Sequence, residues 1–197
     1  PPWDLIRGAY AFDVFISHAW DDDDEGRNNH ARAKRLNAGL QKLKVKTWFD
    51  DEQMQGNILQ RMAKGIERSA VVLICVSRKY MEKVAQDTGN CKLEFNYAYK
   101  NRTELCMLPV VMEESMTDIA AWTGVLGLVL GNHLYCKLTS DVDVDFDCAV
   151  VKIVESVDKM MQDVLSRELQ TAASAMSSRS PSPAPTDQSG ASTPVMS

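Results

Sequence analysis

The chain is poor in the residues from which metal and cofactor sites are usually built. Its 197 residues include three histidines (His18, His30, His133) and five cysteines (Cys75, Cys91, Cys106, Cys136, Cys148). The histidines form no H-E-x-x-H or comparable cluster, so no metal is expected. The cysteines show no C-x-x-C pairing, and Cys75 and Cys106 sit in apolar runs, where a thiol behaves as a small hydrophobe. An odd number without a framework fits a reducing, cytoplasmic compartment. Basic residues are in deficit, 22 Lys and Arg against 27 Asp and Glu, for a net charge of −5. A phosphate-binding face needs a basic excess, so no nucleic-acid partner is expected. No apolar run approaches the roughly 18–20 residues that span a bilayer, and no membrane segment is expected in this chain. The chain opens Pro-Pro-Trp without a methionine, as expected of part of something longer.

Two motifs are missing as well. No G-x-G-x-x-G follows the first apolar run, and "GVLGLVLG" (Gly124–Gly131) has the wrong spacing and comes too late to cradle a pyrophosphate. No G-x-x-x-x-G-K-[ST] is present. Two acidic runs fail as calcium loops. Asp21-Asp22-Asp23-Asp24-Glu25-Gly26 has its glycine in sixth place but Arg32 in twelfth, where a bidentate glutamate is needed; the run from Asp141 has Phe146 and Lys152 there. Both are expected to be solvated loops near helix N-termini.

What is present is enough for a core: hydrophobic residues are 45% of the chain, which suits one domain of roughly 150–170 residues plus a tail. A strand is predicted over 12–17, then a helix over 28–44 carrying Leu36, Leu40 and Leu43 at helical spacing. A short strand follows at Lys46–Phe49, then a polar loop, then a helix striped by Ile58, Met62 and Ile66. Val71–Val76 is a continuous apolar run, as in a parallel strand covered on both faces. A partly helical stretch at 78–83 precedes a helix over 91–101. A strand over 106–112 comes next, with Pro109 an objection to a central position. A weak strand at 132–136 and a long helix over 146–169 complete the pattern. Five alternations of strand and helix argue for an α/β, flavodoxin-like domain: a five-stranded parallel sheet of order 2-1-3-4-5 with helices on both faces. The expected boundaries are an N-terminal extension at 1–9, the domain at 10–170 and a disordered Ser/Pro-rich tail at 171–197. Trp48, Trp122, Met54, Met62, Met160 and Met161 are expected to fill the core or an interface.

In such a sheet ligands bind beyond the carboxyl ends of the strands, at the switch point between strands 1 and 3. There the first strand changes abruptly from Phe12-Asp13-Val14-Phe15-Ile16 to Ser17-His18-Ala19-Trp20. A receiver-type phosphorelay domain shares the sheet order, but Ser77 occupies the region of its acceptor aspartate, and that reading is set aside.

Several stretches in order, "FDVFISHAW", "TWFDDEQMQGNI", "NCKLEFNYA" and "MLPVVM", resemble the TIR (Toll/interleukin-1 receptor) domain over about residues 10–168, with details similar to protist and algal members. The first is similar to the opening strand and box 1, the second to the BB loop, the third to the helix that carries an acidic residue. The resemblance implies one of two activities: hydrolysis of NAD+ by a single glutamate, or assembly with other TIR domains in signalling without catalysis. Plant members carry W-C-L-x-E. Here Asn90-Cys91-Lys92-Leu93-Glu94 supplies Cys91 and Glu94 in register, with Asn90 in place of the aromatic. The resemblance therefore implies Glu94 as the catalytic residue, and Ser17, His18, Ala19, Trp20, Gln55, Ile58, Asn90 and Cys91 as its surroundings, with Trp20 a stacking face for a base. NAD+ is substrate, and no separate cofactor is implied. One carboxylate suffices chemically: nicotinamide leaves NAD+ as a neutral molecule and needs no general acid, unlike the oxygen leaving groups of ordinary glycosidases. A carboxylate can then stabilise the oxocarbenium-like ribose electrostatically. Asp50, Asp51, Glu52, Met54 and Gly56 of the BB loop are the expected interface for weak homotypic contacts.

Overall fold

The computed structural model describes residues 9–49, 57–86, 89–102 and 104–177. Residues 1–8 of the extension expected at 1–9, the BB-loop residues Asp50, Asp51, Glu52, Met54, Gln55 and Gly56, and residues 178–197 of the tail expected at 171–197 lie outside these residues.

The elements alternate as expected: β1 (Phe12–Ser17), α1 (Asn29–Lys42), β2 (Thr47–Trp48), α2 (Ile58–Glu67), β3 (Ser69–Val76), α3 (Arg78–Ala85), α4 (Asn90–Arg102), β4 (Met107–Val111), α5 (Gly124–Leu130), β5 (Cys136–Lys137) and α6 (Asp143–Ser177). All strand pairs are parallel, in the order β2-β1-β3-β4-β5. The flavodoxin-like reading of the sequence is thus the observed fold.

Alternation of side chains along the strands makes two cores, one on each face of the sheet. Val14, Ile16, Val71, Leu73 and Val110 face α1 and α6, meeting Leu36, Leu40, Val150, Ile153 and Val157. Phe15, Val72, Ile74, Val76 and Val111 face α2 to α5, meeting Met62, Ile66, Tyr80, Phe95 and Leu126. All eight residues of β3 are buried, which accounts for its unbroken apolar run. Trp48, Trp122, Met62 and Met161 are buried core residues. Trp48 stacks on Phe15 with ring centroids 4.4 Å apart. A Cβ at Gly65 would come within 2.7 Å of that indole, so α2 packs this closely only because position 65 has no side chain.

Two elements end more than two residues from the sequence expectation, and Pro109 has an account of its own. β5 is confined to Cys136–Lys137 instead of 132–136: the stretch before it turns back on α5, His133 donating its backbone N–H to Leu130 O at 2.9 Å. Pro109 does lie inside the sheet, in register with Ile74. Val111 O accepts from Leu138 on the β5 side, so Pro109, two residues earlier, also faces that side, where pairing begins only at Val110. Its missing N–H therefore costs no ladder bond. Finally, α6 runs to Ser177, past the boundary drawn at 170, through Ala172, Ala173 and Ala175, which favour helix strongly.

Candidate functional site

The carboxyl ends of β1 and β3 are roofed by the first turns of α3 and α4. Ser77, the residue after β3, caps α3 by accepting from Tyr80 N–H at 3.1 Å. That cap sets the helix so that Tyr80, fully buried, points back beneath the end of β1. Its hydroxyl lies 2.8 Å from Ser17 Oγ. Ser17, 1% exposed, donates to Glu94 Oε2 at 2.5 Å. Glu94 itself is 6% exposed and comes from the middle of α4.

The direction of this chain follows from its members. Burial, the largest cause, holds the Tyr80 phenol well above its ordinary value of 10, so the phenol keeps its proton. Ser17 has one proton, and a carboxylate only accepts. Tyr80 therefore donates to Ser17, and Ser17 to Glu94.

Cys91, one turn before Glu94 on the same helix face, is buried, and its Sγ donates to His18 O at 3.5 Å. Burial, then the charge of Glu94, pushes its thiol up to about 12, so Cys91 is a packing group and weak donor, not a nucleophile. Beyond Ser17 the strand end becomes a stack of rings. His18, 5% exposed, lies against Phe49 with centroids 5.1 Å apart, and its Nε2 is 2.8 Å from His30 Nδ1. Trp20 covers His30 with ring centroids 4.0 Å apart and planes nearly parallel, and is 41% exposed.

The structure thus brings Ser17, His18, Cys91 and Glu94 together, with Trp20 on the adjoining ring stack. Ala19, 1% exposed, is a core residue. Asn90 is exposed on the turn of α4 above Glu94, and Ile58 is 38% exposed at the start of α2. Gln55 lies outside the described residues. Two grooves, of about 580 Å³ beside β5 and α6 and about 1110 Å³ between α4, α5 and α6, are lined by other residues than these.

The acidic run after β1 is more built than a solvated loop. Asp23 is buried and accepts from the backbone N–H of Glu25 and Arg27 and from Arg27 Nε. Asp21 pairs with Lys83, and Arg78 Nε donates to Asp24 at 2.6 Å, so the loop is fastened to α3 across the switch point. The hydrogen bond from Lys83 holds the Asp21 carboxyl below its ordinary value. Among the described residues no group of three or more His, Cys, Asp or Glu is placed to hold a metal ion.

Sequence reasoning missed Tyr80 and Arg32. Arg32 is 6% exposed and donates to Asp141 Oδ1 at 2.8 Å, Met112 O at 2.7 Å and Leu138 O at 2.9 Å. A signal was available for it: Arg32 stands four residues before Leu36, on the apolar stripe of α1, where a charge must be buried and partnered. Tyr80 gave no such signal.

The family model described as "TIR domain" matches residues 14–150, more than half of the chain. The chain belongs to the TIR family. Two solved structures are similar in fold: a metazoan TIR-STING receptor from C. gigas (16% identity, TM-score 0.49, covering 72% of this chain and 41% of that one), and the receptor from C. gigas in complex with 2',3'-cGAMP (15%, 0.52, 72% and 40%). This TIR domain therefore spans about two fifths of the length of those receptors. Comparison with the curated proteins found no match. No described helix of this TIR domain is long and apolar enough to cross a membrane.

Proposed function

We propose that this TIR domain signals by cleaving NAD+ to nicotinamide and a linear or cyclic ADP-ribose, with Glu94 as its one catalytic residue. The observation that carries the reading is a glutamate buried at the β1/β3 switch point with a hydroxyl donating to its carboxylate. A surface glutamate on α4 would have no need of such a partner. The carboxylate faces the developing ribose cation, where a fixed negative charge in a partly dry cleft is worth most. The nicotinamide leaves neutral, so no second acid is needed to protonate it. Trp20 offers an exposed indole for stacking a base, and the dinucleotide is expected to lie from that ring toward Glu94.

The test is to incubate concentrated protein with NAD+ and follow nicotinamide by chromatography. Slow turnover is expected, and Glu94→Gln should lower it by at least about a hundredfold, the order of a lost charge stabilisation in the transition state. Equal turnover by the two proteins would remove Glu94 from the mechanism.

A second reading, assembly with other TIR domains without catalysis, has its own observation. Leu128 and Leu134 are 84% and 90% exposed beside the larger groove, and Tyr99 and Leu105 stand half-exposed on its lining. A second copy burying these side chains would remove apolar area from water. The two readings join if self-association completes the cleft. Specific activity should then rise with protein concentration, and Leu128→Asp with Leu134→Asp should flatten that rise. Constant specific activity over a hundredfold range of concentration would separate them.

A further inference from the structure

We infer that Tyr80 is a positioning residue for Glu94, acting through Ser17; the inference rests on the catalytic reading of Glu94 given above. Three elements far apart in sequence converge here: Ser17 lies 63 residues from Tyr80 and 77 from Glu94. Each member is nine-tenths or more buried, so solvent does not substitute for a missing partner. Left alone, the Ser17 hydroxyl has three staggered positions for its proton, and only one aims at Glu94 Oε2. The phenol removes that freedom. By occupying a lone pair of Ser17 Oγ at 2.8 Å, it leaves the serine proton directed at the carboxylate 2.5 Å away. A donor bound to a donor also polarises it, which strengthens the second bond of the chain.

The arrangement does two things for the proposed chemistry. It places a donor on the carboxylate, and a hydrogen bond to the charged form favours that form. It also fixes which carboxylate oxygen Ser17 holds, and so helps to set the plane of the group. Tyr80 touches neither substrate nor reacting atoms, and Ser17 cannot lend its proton to a substrate hydroxyl while the chain is intact. Ser17 is accordingly a support for Glu94 and not a substrate contact of its own.

A double-mutant cycle on the whole chain tests this. The two readouts are NAD+ cleavage and the 13C titration of the Glu94 carboxyl, its resonance identified by loss in Glu94→Gln. Tyr80→Phe removes one oxygen and keeps the ring. It should lower kcat about tenfold, the order expected of one hydrogen bond to a charged group, with KM within about twofold, since uniform binding is untouched. The Glu94 titration midpoint should move upward, and further still in Ser17→Ala. In the Ser17→Ala background, Tyr80→Phe should then change neither readout, because its path to Glu94 is already cut. A lower melting temperature with unchanged kcat and unchanged titration would overturn the inference and leave Tyr80 as core packing. So would additive effects of the two substitutions. If the wild type releases no nicotinamide, the catalytic reading fails by itself. The titration cycle still decides whether Tyr80 acts on Glu94 through Ser17.

Discussion

Two buried polar clusters stand at the carboxyl edge of the same sheet. One is the Tyr80–Ser17–Glu94 relay beneath β1 and β3; the other is the arginine clamp beyond β4 and β5. In the clamp, Arg32 and Arg27 both donate to Met112 O, at 2.7 and 3.3 Å, while Arg27 also reaches Thr139 O and Asp23. Charges there meet opposite charges and backbone carbonyls, and the cluster ties α1 to the ends of β4 and β5. The relay is assembled differently: its acid accepts from a neutral hydroxyl, which accepts in turn from a second. Opposite charges brought together cancel much of each other's field, whereas a hydroxyl that donates to a carboxylate leaves the charge in place. Burial alone does not distinguish the two; the chemistry of the partners does.

The sharpest way to break that contrast is to cut the clamp. Arg32→Ala takes away the donor to Leu138 O and to Asp141, one of the two arginine donors to Met112 O and the guanidinium beside Asp23, and removing one member of a buried ionic cluster costs roughly 3–5 kcal/mol. The thermal midpoint, followed by circular dichroism, should fall by about 10 °C. The loss in Glu94→Gln should stay below roughly 1 kcal/mol, since the amide keeps the shape and relieves a buried charge. A midpoint for Arg32→Ala within about 2 °C of the wild type would show that the clamp is not structural.

The relay side is sharpened by thiol chemistry. Burial pushes both Cys75 and Cys91 up to about 12, while Cys148 is exposed on α6. Iodoacetamide at pH 8 should therefore label Cys148 at least about a hundredfold faster than Cys91, because the thiolate reacts and a buried thiol supplies almost none. Peptide mass spectrometry reads the order. Equal labelling of Cys91 would mean that the floor beneath Glu94 opens readily.

The smallest effect belongs to the loop that bridges the regions. Asp21 and Lys83 are both partly exposed, so Asp21→Asn should cost below about 1 kcal/mol at neutral pH and less in high salt. The folded carboxyl is held below its ordinary value of 3.8, so its contribution is complete above that value and disappears as pH falls through the lowered one. Denaturant titrations of the two proteins should differ at pH 7 and converge near pH 2. A difference that persists in acid would assign the effect to something other than the Lys83 pair.

How much of this was open to reading from residues alone divides along the same line. The elements were legible because periodicity is a local property: β3 is apolar at every position since both faces are covered, and Leu36 and Leu40 recur because one face of α1 is buried. Glu94 and Cys91 were found through a motif whose members lie within one helical turn. The departures had non-local causes. Pro109 sits harmlessly in the sheet because β5 is short on the side it faces, and no feature of 106–112 states where β5 begins.

By itself, then, the sequence determined the alternation of strands and helices, the two-layer core that follows from it, and the acid on α4, since each of these is written in residues a few positions apart. Only the tertiary structure decided what that acid rests on. Tyr80 reads as one more aromatic on the apolar face of α3, and Ser17 as a small residue closing a strand. They become parts of one chain of hydrogen bonds with Glu94 only when the parallel crossovers bring the ends of β1, β3 and α4 together across 63 and 77 residues. The physical reason is that a buried hydroxyl must find a partner wherever the packing places one, and such partners carry no period along the sequence.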